Sequence, residues 1–341
     1  MSMHLFGLIL CLRPNNIYLY TVLPLNSQNL LHKEAILEKS EKIWMDGKMV
    51  PWHEANVHVL THTLHYGFGV FEGIRCYNSK ENGSSIFRLK EHTDRLFQSA
   101  VILGIEVPFS NKEIYDATLD VVRQNKLEEC YIRPIIFLGD NKMGLNPKGV
   151  DVRCAIAAWP WGTYLGEDGL DKGIRARVSS FTRHHVNVSM TKAKACGYYI
   201  NSIMAKAEAV RDGYDEAILL DPSGYVSEGS GENIFIYSKG KLHTPSLASS
   251  NLDGITRNAV MEICEDLGIA LEERTITRDG LYIAKEIFLS GTAAEITPVR
   301  EVDNRVIGLG KKGPITDQIQ KTFFEVVRGA NPKFQKWLTR V

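Results

Sequence analysis

One segment, residues 191–235, places the strongest constraint on what this chain can fold into. It begins with a lysine among small residues, continues through a tyrosine, and ends with a glutamate in a glycine-rich stretch. Lys194 lies between two alanines and is followed by Cys196 and Gly197, so a flat ring can approach the backbone closely. A lysine shielded from water has a lowered pKa, and an uncharged amine condenses with an aldehyde to form a Schiff base. The pattern therefore indicates a reactive lysine, and an ordinary surface lysine is the alternative that the residues leave open.

The second chemical group in this segment is Glu228. Residues 217–220 form a strand pattern, and residues 221–224 contain the Asp, Pro, Ser and Gly typical of a tight turn. Gly229 and Gly231 leave room for a ligand beside the carboxylate. A carboxylate next to a pyridine nitrogen keeps that nitrogen protonated, which turns the ring into an electron sink. The lysine and the glutamate together suit a pyridoxal phosphate ring, whereas the glutamate alone fits a solvated loop.

These residues resemble a known family. Residues 194–199 read KACGYY and match the pattern K-x-x-G-x-Y, and residues 227–235 read SEGSGENIF and match S-E-G-x-x-E-N-x-F. Both patterns are typical of the fold-type-IV pyridoxal phosphate enzymes, and most closely of the branched-chain amino acid aminotransferases. The resemblance runs from about residue 42 to near residue 341. It implies an α+β fold like that of D-amino acid aminotransferase, with a small α/β domain and a larger pseudobarrel α/β domain.

The resemblance also implies how the cofactor, pyridoxal 5'-phosphate, is held. Lys194 would bond the cofactor covalently, Tyr199 would hydrogen-bond its phenolic oxygen, and Glu228 would face its pyridine nitrogen. The phosphate would be bound by Arg95, Ile255, Thr256 and Thr292. A guanidinium fork and a helix N-terminus both suit a dianionic group. Read without the family, Arg95 fits a helix surface and Thr256 fits a plain helix N-cap.

Substrate contacts follow from the same resemblance. Residues 65–75 read HYGFGVFEGIR and match HYG-x-x-V-F-E-G-x-R, which lines the substrate pocket in the family. The implied substrate-binding residues are Tyr66, Phe71, Tyr131, Arg133, Trp161, Tyr164, Thr292 and Ala293. Tyr66 is expected to reach into the site of a partner subunit, and Phe71, Trp161 and Tyr164 can each also be explained as core aromatics. For Arg75 the open alternative is an ion pair with a carboxylate such as Glu72.

Arg133 raises the question of a second substrate. Residues 130–139 are predicted to form a strand, so that Tyr131 and Arg133 lie on the same face. A buried arginine requires an anion. The family uses a Y-x-R-P arginine for the distal carboxylate of glutamate, so we assign Arg133 to the recognition of both substrate types as a hypothesis. A structural salt bridge is the alternative.

The length of the chain suggests more than one domain. We expect an N-terminal extension outside the fold at 1–40, a small domain at 41–161, a linker at 162–173 and a large cofactor-binding domain at 174–341. The extension could equally result from a misassigned start codon. Within the domains we predict a hairpin at 42–52 around Asp46-Gly47, helices at 88–103, 111–124 and 201–211, and a last helix near 316–329.

Composition limits the partners and the compartment. Lys plus Arg number 40 and Asp plus Glu number 40, so there is no basic surplus for nucleic acid or anionic lipid. The 6 cysteines are scattered without metal-ligand spacing, which predicts no metal site and reduced thiols in a cytoplasmic protein. No apolar run approaches the roughly 20 residues of a membrane span. We therefore expect small-molecule partners.

The implied reaction is the reversible transfer of an amino group between leucine, isoleucine or valine and 2-oxoglutarate. The resemblance further implies a homodimer or a higher homo-oligomer such as a hexamer. D-amino acid aminotransferase and aminodeoxychorismate lyase share the fold and are competing interpretations, although the Tyr131 and Arg133 arrangement favours the branched-chain group. A noncatalytic binding protein would most simply have lost the lysine or the glutamate, and both are present.

Overall fold

Two β-sheets and the helices beside them make up the part of the chain that the structure describes. The structure is a computed structural model, and it describes residues 37–79, 81–162 and 167–341, together with the backbone of 12–13 and 16–17. Strands β1 (Leu12–Arg13) and β2 (Asn16–Ile17) form an antiparallel pair by themselves. Residues 38–341 form a separate compact unit. The predicted extension at 1–40 lies almost entirely outside the described residues.

The first sheet is antiparallel in all its described strand pairs and has the strand order β19-β7-β6-β8-β9-β3-β4, with β5 paired to β8. Its strands are β3 (Lys42–Met45), β4 (Lys48–Pro51), β5 (Gly69–Phe71), β6 (Ile74–Tyr77), β7 (Ser85–Phe87), β8 (Cys130–Leu138), β9 (Val152–Trp159) and β19 (Leu338–Arg340). The accompanying helices are α1 (His62–Tyr66), α2 (Leu89–Leu103) and α3 (Asn111–Gln124). Apolar side chains of α2, α3 and the sheet pack into one core, which buries the stripe of each amphipathic helix.

Local sequence signals explain several of these elements. The predicted hairpin at 42–52 is confirmed, because Asp46 (φ 48°) and Gly47 (φ 92°) form a two-residue left-handed turn between β3 and β4. The capping box that opens α3 is also confirmed. The Ser110 hydroxyl accepts from the Glu113 amide, and the Glu113 carboxylate accepts from the Ser110 amide.

The second sheet has the order β12-β11-β10-β17-β16-β13-β14-β15, with β18 paired to β17. Its strands are β10 (Ile174–Thr182), β11 (Glu216–Leu220), β12 (Val226–Gly229), β13 (Asn233–Ser238), β14 (Lys241–Thr244), β15 (Leu271–Glu273), β16 (Glu286–Gly291), β17 (Glu295–Val302) and β18 (Arg305–Val306). The helices along this part of the chain are α4 (Glu167–Lys172), α5 (Val186–Ser189), α6 (Tyr199–Arg211), α7 (Ile255–Asp266), α8 (Arg278–Tyr282) and α9 (Pro314–Val327). Mixed parallel and antiparallel strands with helices make this an α+β fold.

The chain crosses between the two sheets once more at its end. After α9, the strand β19 pairs with β7 of the first sheet, with Leu338 opposite Phe87. The C-terminal residues therefore belong to the first sheet by hydrogen bonding, although they follow the second sheet in sequence. The division at 162–173 stays a prediction. No helix among the described residues is long and apolar enough to cross a membrane.

Candidate active site

One cavity brings together residues from both halves of the described chain. Its walls come from α2, the segment before α6, the β12–β13 turn, the start of α7 and the end of β16. All residues that the resemblance assigns to the cofactor line this one cavity: Arg95, Lys194, Tyr199, Glu228, Ile255, Thr256 and Thr292. The roles assigned to them stay predictions, but their convergence makes this cavity the candidate active site.

The backbone of Lys194 is fixed by two hydrogen bonds, and its side-chain amine contacts a tyrosine hydroxyl. The Lys194 amide donates to the Ser99 hydroxyl at 3.0 Å, and its carbonyl accepts from the Phe71 amide at 3.1 Å. The Nζ atom lies 2.6 Å from the Tyr199 hydroxyl. The amine also lies 5.1 Å from the centre of the Phe71 ring. The lysine is therefore fixed at its base, and its tip is oriented by a phenol.

Glu228 also lines the cavity, and one of its carboxylate oxygens has no hydrogen-bond partner among the described residues. This residue belongs to β12, where it pairs with Leu219 of β11, so the predicted hairpin is confirmed. Its Oε2 accepts from the Leu252 amide at 3.0 Å. Its Oε1 lies 2.8 Å from Nε of Arg183, but the contact is not aligned for a hydrogen bond, and both atoms lack a hydrogen-bond partner within the described part of the chain. A buried carboxylate oxygen without a donor is suited to accept one from a ligand.

The start of α7 provides a seat for an anion. Gly254 is the N-cap of this helix, and the first-turn amides of Ile255 and Thr256 have no intrahelical acceptor. A side chain on Gly254 would place its Cβ 1.9 Å from the Asn233 amide oxygen, so only glycine fits there. The interpretation of Thr256 as a plain N-cap is wrong, because Thr256 occupies the second position inside the helix.

Arg95 reaches the cavity from α2 and is firmly bound on its other side. Its Nε and Nη2 donate to the two carboxylate oxygens of Glu72 at 2.6 and 2.9 Å. Arg75 does pair with a carboxylate, as the alternative interpretation allowed, but Glu72 is not that carboxylate. Arg75 instead pairs with Glu295 at 3.2 Å, because β6 places Arg75 beside β17 while Glu72 turns toward α2.

An aromatic wall stands beside the lysine. The Phe71 ring contacts the Tyr199 ring, with 4.9 Å between centroids. The Arg133 guanidinium lies over Phe71 at 4.7 Å and donates to the Tyr131 hydroxyl at 3.2 Å, as expected for neighbours on one strand face. Trp161 packs on Tyr131 with 4.4 Å between ring centroids. Arg133 makes no ion pair with a described carboxylate, and its buried Nε lacks a hydrogen-bond partner there.

The remaining substrate residues are placed differently. Tyr66 is 43% exposed at the end of α1 and is not one of the cavity residues. Ala293 lies in the turn directly after Thr292, between β16 and β17. Tyr164 lies outside the described residues. The structure thus brings the predicted cofactor residues into one cavity, and it places Phe71, Tyr131, Arg133 and Trp161 in a row of contacts that starts beside Lys194 and Tyr199. None of these four residues lines the cavity itself, and neither Tyr66 nor Ala293 does.

Two charged cavity residues were not anticipated from sequence. Arg183 follows β10 and donates to Ser202 at 3.0 Å while facing Glu228. Glu232 lies behind the glycine turn and accepts from the Gly231 amide at 3.1 Å. The only available signal for Arg183 was the need of a buried acid for a counter-charge. That need does not say which arginine supplies the charge, because the pairing depends on the fold.

Glu232 should make stability depend on pH. Burial, reinforced by Glu216, raises the pKa of Glu232 to about 8 from 4.5. Between these values the folded protein keeps a proton that the unfolded chain releases, so the free energy of unfolding falls as pH rises. We expect Glu232→Gln apoprotein, which cannot release this proton, to gain stability relative to wild type from pH 5 to pH 8, measured by urea unfolding. The exposed Glu265→Gln is the control, and a pH-independent difference for Glu232→Gln would contradict the assignment.

Comparison with known proteins places the cavity in context. The family described as class IV aminotransferases matches residues 69–302. A branched-chain-amino-acid aminotransferase of Pseudomonas aeruginosa is 52% identical over 90% of this chain and 99% of its own length. The crystal structure of the Escherichia coli branched-chain amino acid aminotransferase has a TM-score of 0.87 at 48% identity, covering 89% of this chain and 99% of that one. The branched-chain amino acid aminotransferase from Thermobaculum terrenum, solved in its PLP-bound holo form, has a TM-score of 0.84 at 38% identity, with 89% and 98% coverage.

Proposed function

The chain belongs to the class IV aminotransferase family, and on that basis we propose that it exchanges an amino group between branched-chain amino acids and 2-oxoglutarate. The substrates are leucine, isoleucine or valine, and the cofactor is pyridoxal 5'-phosphate. The observation that carries this proposal is the meeting of Lys194, Tyr199 and Glu228 in one cavity. The expectation of a fold-type-IV aminotransferase is confirmed by the match to solved relatives.

The residues around the cavity fit this cofactor. Glu228 offers a buried oxygen without a hydrogen-bond partner, which suits a protonated pyridine nitrogen. The first turn of α7 and Arg95 offer donors to a phosphate. The Ser290 hydroxyl, which also lines the cavity, is buried without a partner among the described residues. Each end of the cofactor therefore has a chemically matched group.

The side chains divide the reaction between them. When bound, pyridoxal phosphate supplies an electron sink for negative charge at the substrate α-carbon. Lys194 would hold the cofactor through its amine before the substrate arrives, and Nζ would afterwards be placed to take the proton from the α-carbon as a general base. The Tyr199 hydroxyl, 2.6 Å away, orients that amine. In the first half of the exchange the amino acid would give up its α-amino group, take the oxygen of one water and leave as a 2-oxo acid. In the second half 2-oxoglutarate would receive that amino group, release its keto oxygen as one water and leave as glutamate.

Arg133 supports the use of two substrate types in one pocket. Its guanidinium lies between Phe71 and Tyr131 without a carboxylate partner among the described residues. The aromatic rings suit the aliphatic side chain of leucine, and the guanidinium suits the distal carboxylate of glutamate.

Replacing Arg133 separates these two functions. We expect Arg133→Met to reduce kcat/KM for glutamate by roughly 100-fold, because a charge-assisted contact to a buried carboxylate is lost. Leucine should be affected much less, since methionine still packs against its side chain. The half-reactions with each amino acid, followed by stopped-flow absorbance, provide the measurement. Equal losses for leucine and glutamate would refute the role, and Arg123→Met, an exposed change on α3, is the control.

We also propose that the chain works as a homodimer or a higher homo-oligomer. Exposed apolar side chains occur just before and within α1, in the loop before β9, and in or next to α5 and α6: Leu60, Leu64, Met143, Leu145, Val186, Val188, Met190, Ile200, Ile203 and Met204. Exposed apolar surface is typical of association interfaces. Tyr66, on the same α1 surface, would then reach into the site of the partner subunit. A cytoplasmic location is proposed as well, supported by free thiols at 76, 130, 154, 196 and 264.

The proposed reaction is tested by the absorbance of the bound cofactor. The visible band of the purified holoenzyme should fall when L-leucine is added and return when 2-oxoglutarate follows. A band bleached by D-alanine but not by L-leucine would overturn the proposal and favour D-amino acid aminotransferase activity.

A further inference from the structure

Glu72 is a buried charge that does not line the cavity, yet its partner Arg95 does. Its side chain is 0% exposed and accepts from Arg95 Nε at 2.6 Å and from Arg95 Nη2 at 2.9 Å. His92, 1% exposed, contributes Nδ1 at 2.8 Å to the same carboxylate. Burial would raise the pKa of Glu72, but Arg95 and His92 outweigh burial and hold the pKa far below its usual range. Burying an ionised carboxylate costs free energy, so its presence here calls for a functional or a structural explanation.

His92 acts as a neutral partner in this cluster. Burial is the largest effect on His92 and lowers its pKa, despite the attraction of Glu72. The neutral ring therefore donates its Nδ1 hydrogen to the carboxylate. It adds a hydrogen bond but no second positive charge beside Glu72. The cluster therefore contains one cation, Arg95, and one anion, Glu72, and its net charge is zero. It acts on the cavity through the orientation that it gives to Arg95.

The cluster aims the remaining donors of Arg95. A guanidinium has five N–H groups in a rigid plane. Glu72 takes two of them, and the Asp253 carbonyl takes a third through Nη1 at 2.7 Å. Asp253 directly precedes the N-cap of α7, so Arg95 is tied to the same loop that presents the helix amides. The plane of the guanidinium is thereby fixed, and its two free N–H groups are left for the cavity.

The same contacts link this end of the cavity to the reactive lysine. Ser99, one helical turn after Arg95 on α2, accepts from the Lys194 amide at 3.0 Å. Phe71, the neighbour of Glu72, donates to the Lys194 carbonyl at 3.1 Å. The segment carrying Glu72 and the helix carrying Arg95 therefore both set where Lys194 lies.

We propose that Glu72 is a positioning residue for the cofactor phosphate, because it fixes the Arg95 guanidinium in the plane and register that a phosphate bound at the start of α7 requires. The proposal rests on the proposed function only through the phosphate-bearing cofactor. Two effects of losing Glu72 oppose each other: a cavity with one negative charge fewer attracts phosphate more, whereas an arginine without its acceptors loses its orientation. We expect the loss of orientation to have the larger effect on phosphate binding. In Glu72→Gln the amide NH₂ group would face one of the Arg95 N–H groups, so that two donors would oppose each other.

Two variants of Glu72 separate orientation from charge. Glu72→Gln keeps the size and removes the charge, whereas Glu72→Asp keeps the charge and withdraws it by one methylene. Pyridoxal 5'-phosphate is titrated into apoprotein, and binding is followed by quenching of tryptophan fluorescence. We expect both variants to weaken binding by roughly 10- to 100-fold, the range for losing a charge-assisted hydrogen bond. Glu91→Gln, on the exposed side of the same helix, should bind as wild type does.

Phosphorus NMR provides the readout that a merely structural role would not change. In the wild type the bound phosphate should stay dianionic, so its resonance should not move between pH 6 and pH 8. In both Glu72 variants it should titrate near the second phosphate pKa of about 6. Unchanged or tighter binding, or tight binding by Glu72→Asp alone, would overturn the proposal, as would a lower apoprotein melting temperature with an unchanged phosphorus resonance. If Glu72→Gln does not fold, Glu72→Asp alone decides. Because the titration uses no amino acid, a chain that binds the cofactor but ignores leucine would refute the proposed substrate and leave this test intact.

Discussion

Lys194→Ala should reduce the rate of leucine transamination by at least about 10⁴-fold, the upper range for removing a positioned acid–base group. The loss is large because one amine both holds the cofactor and moves the α-proton. The neighbouring Lys192 is exposed and does not line the cavity, so Lys192→Ala provides a matched control two residues away. Steady-state rates with leucine and 2-oxoglutarate give the comparison. A Lys194→Ala enzyme with appreciable turnover, or a Lys192→Ala enzyme without it, would show that the base has been assigned to the wrong residue.

Glu228→Gln is the second large effect. The amide keeps the shape of the side chain but removes the negative charge opposite the pyridine nitrogen, and it leaves Arg183 facing a neutral group. We expect kcat to fall by roughly 10²- to 10³-fold, as for the loss of one electrostatic contact to the charge that develops during reaction. The loss should appear in the proton-abstraction step, which a deuterium isotope effect with α-deuterated leucine would reveal.

The control for this variant is Glu265→Gln, an exposed change at the far end of α7. It should keep the wild-type rate. If Glu228→Gln also kept that rate, the carboxylate would be a structural partner of Arg183 and Leu252 only.

The parts of this site that sequence predicted are those set by local chemistry. The Asp46-Gly47 turn and the Ser110 capping box are decided by a few adjacent residues, and both form as expected. The motifs around Lys194 and Glu228 are likewise contiguous. The conformation of such short segments can be predicted from the segments alone, because propensity and turn chemistry act within a few positions.

The parts that sequence did not predict join residues far apart in the chain. Arg95 with Glu72, Arg75 with Glu295, and Arg183 with Glu228 are pairings that only the tertiary fold decides, within one sheet's part of the chain or, for Arg75, between the two sheets. A sequence shows that a buried charge needs a partner, but several arginines compete for each acid. The return of β19 to the first sheet was missed for the same reason, because strand pairing at the C-terminus is nonlocal.

The central claim is that the amine of Lys194 is the group that holds the cofactor. Sodium borohydride treatment of the holoenzyme fixes pyridoxal phosphate to the amine that holds it, and peptide mass mapping then identifies the modified residue. We predict the phosphopyridoxyl mass on the peptide containing Lys194, with Lys192 unmodified. Attachment to another lysine, or no attachment to a protein that binds the cofactor, would contradict the assignment of this cavity.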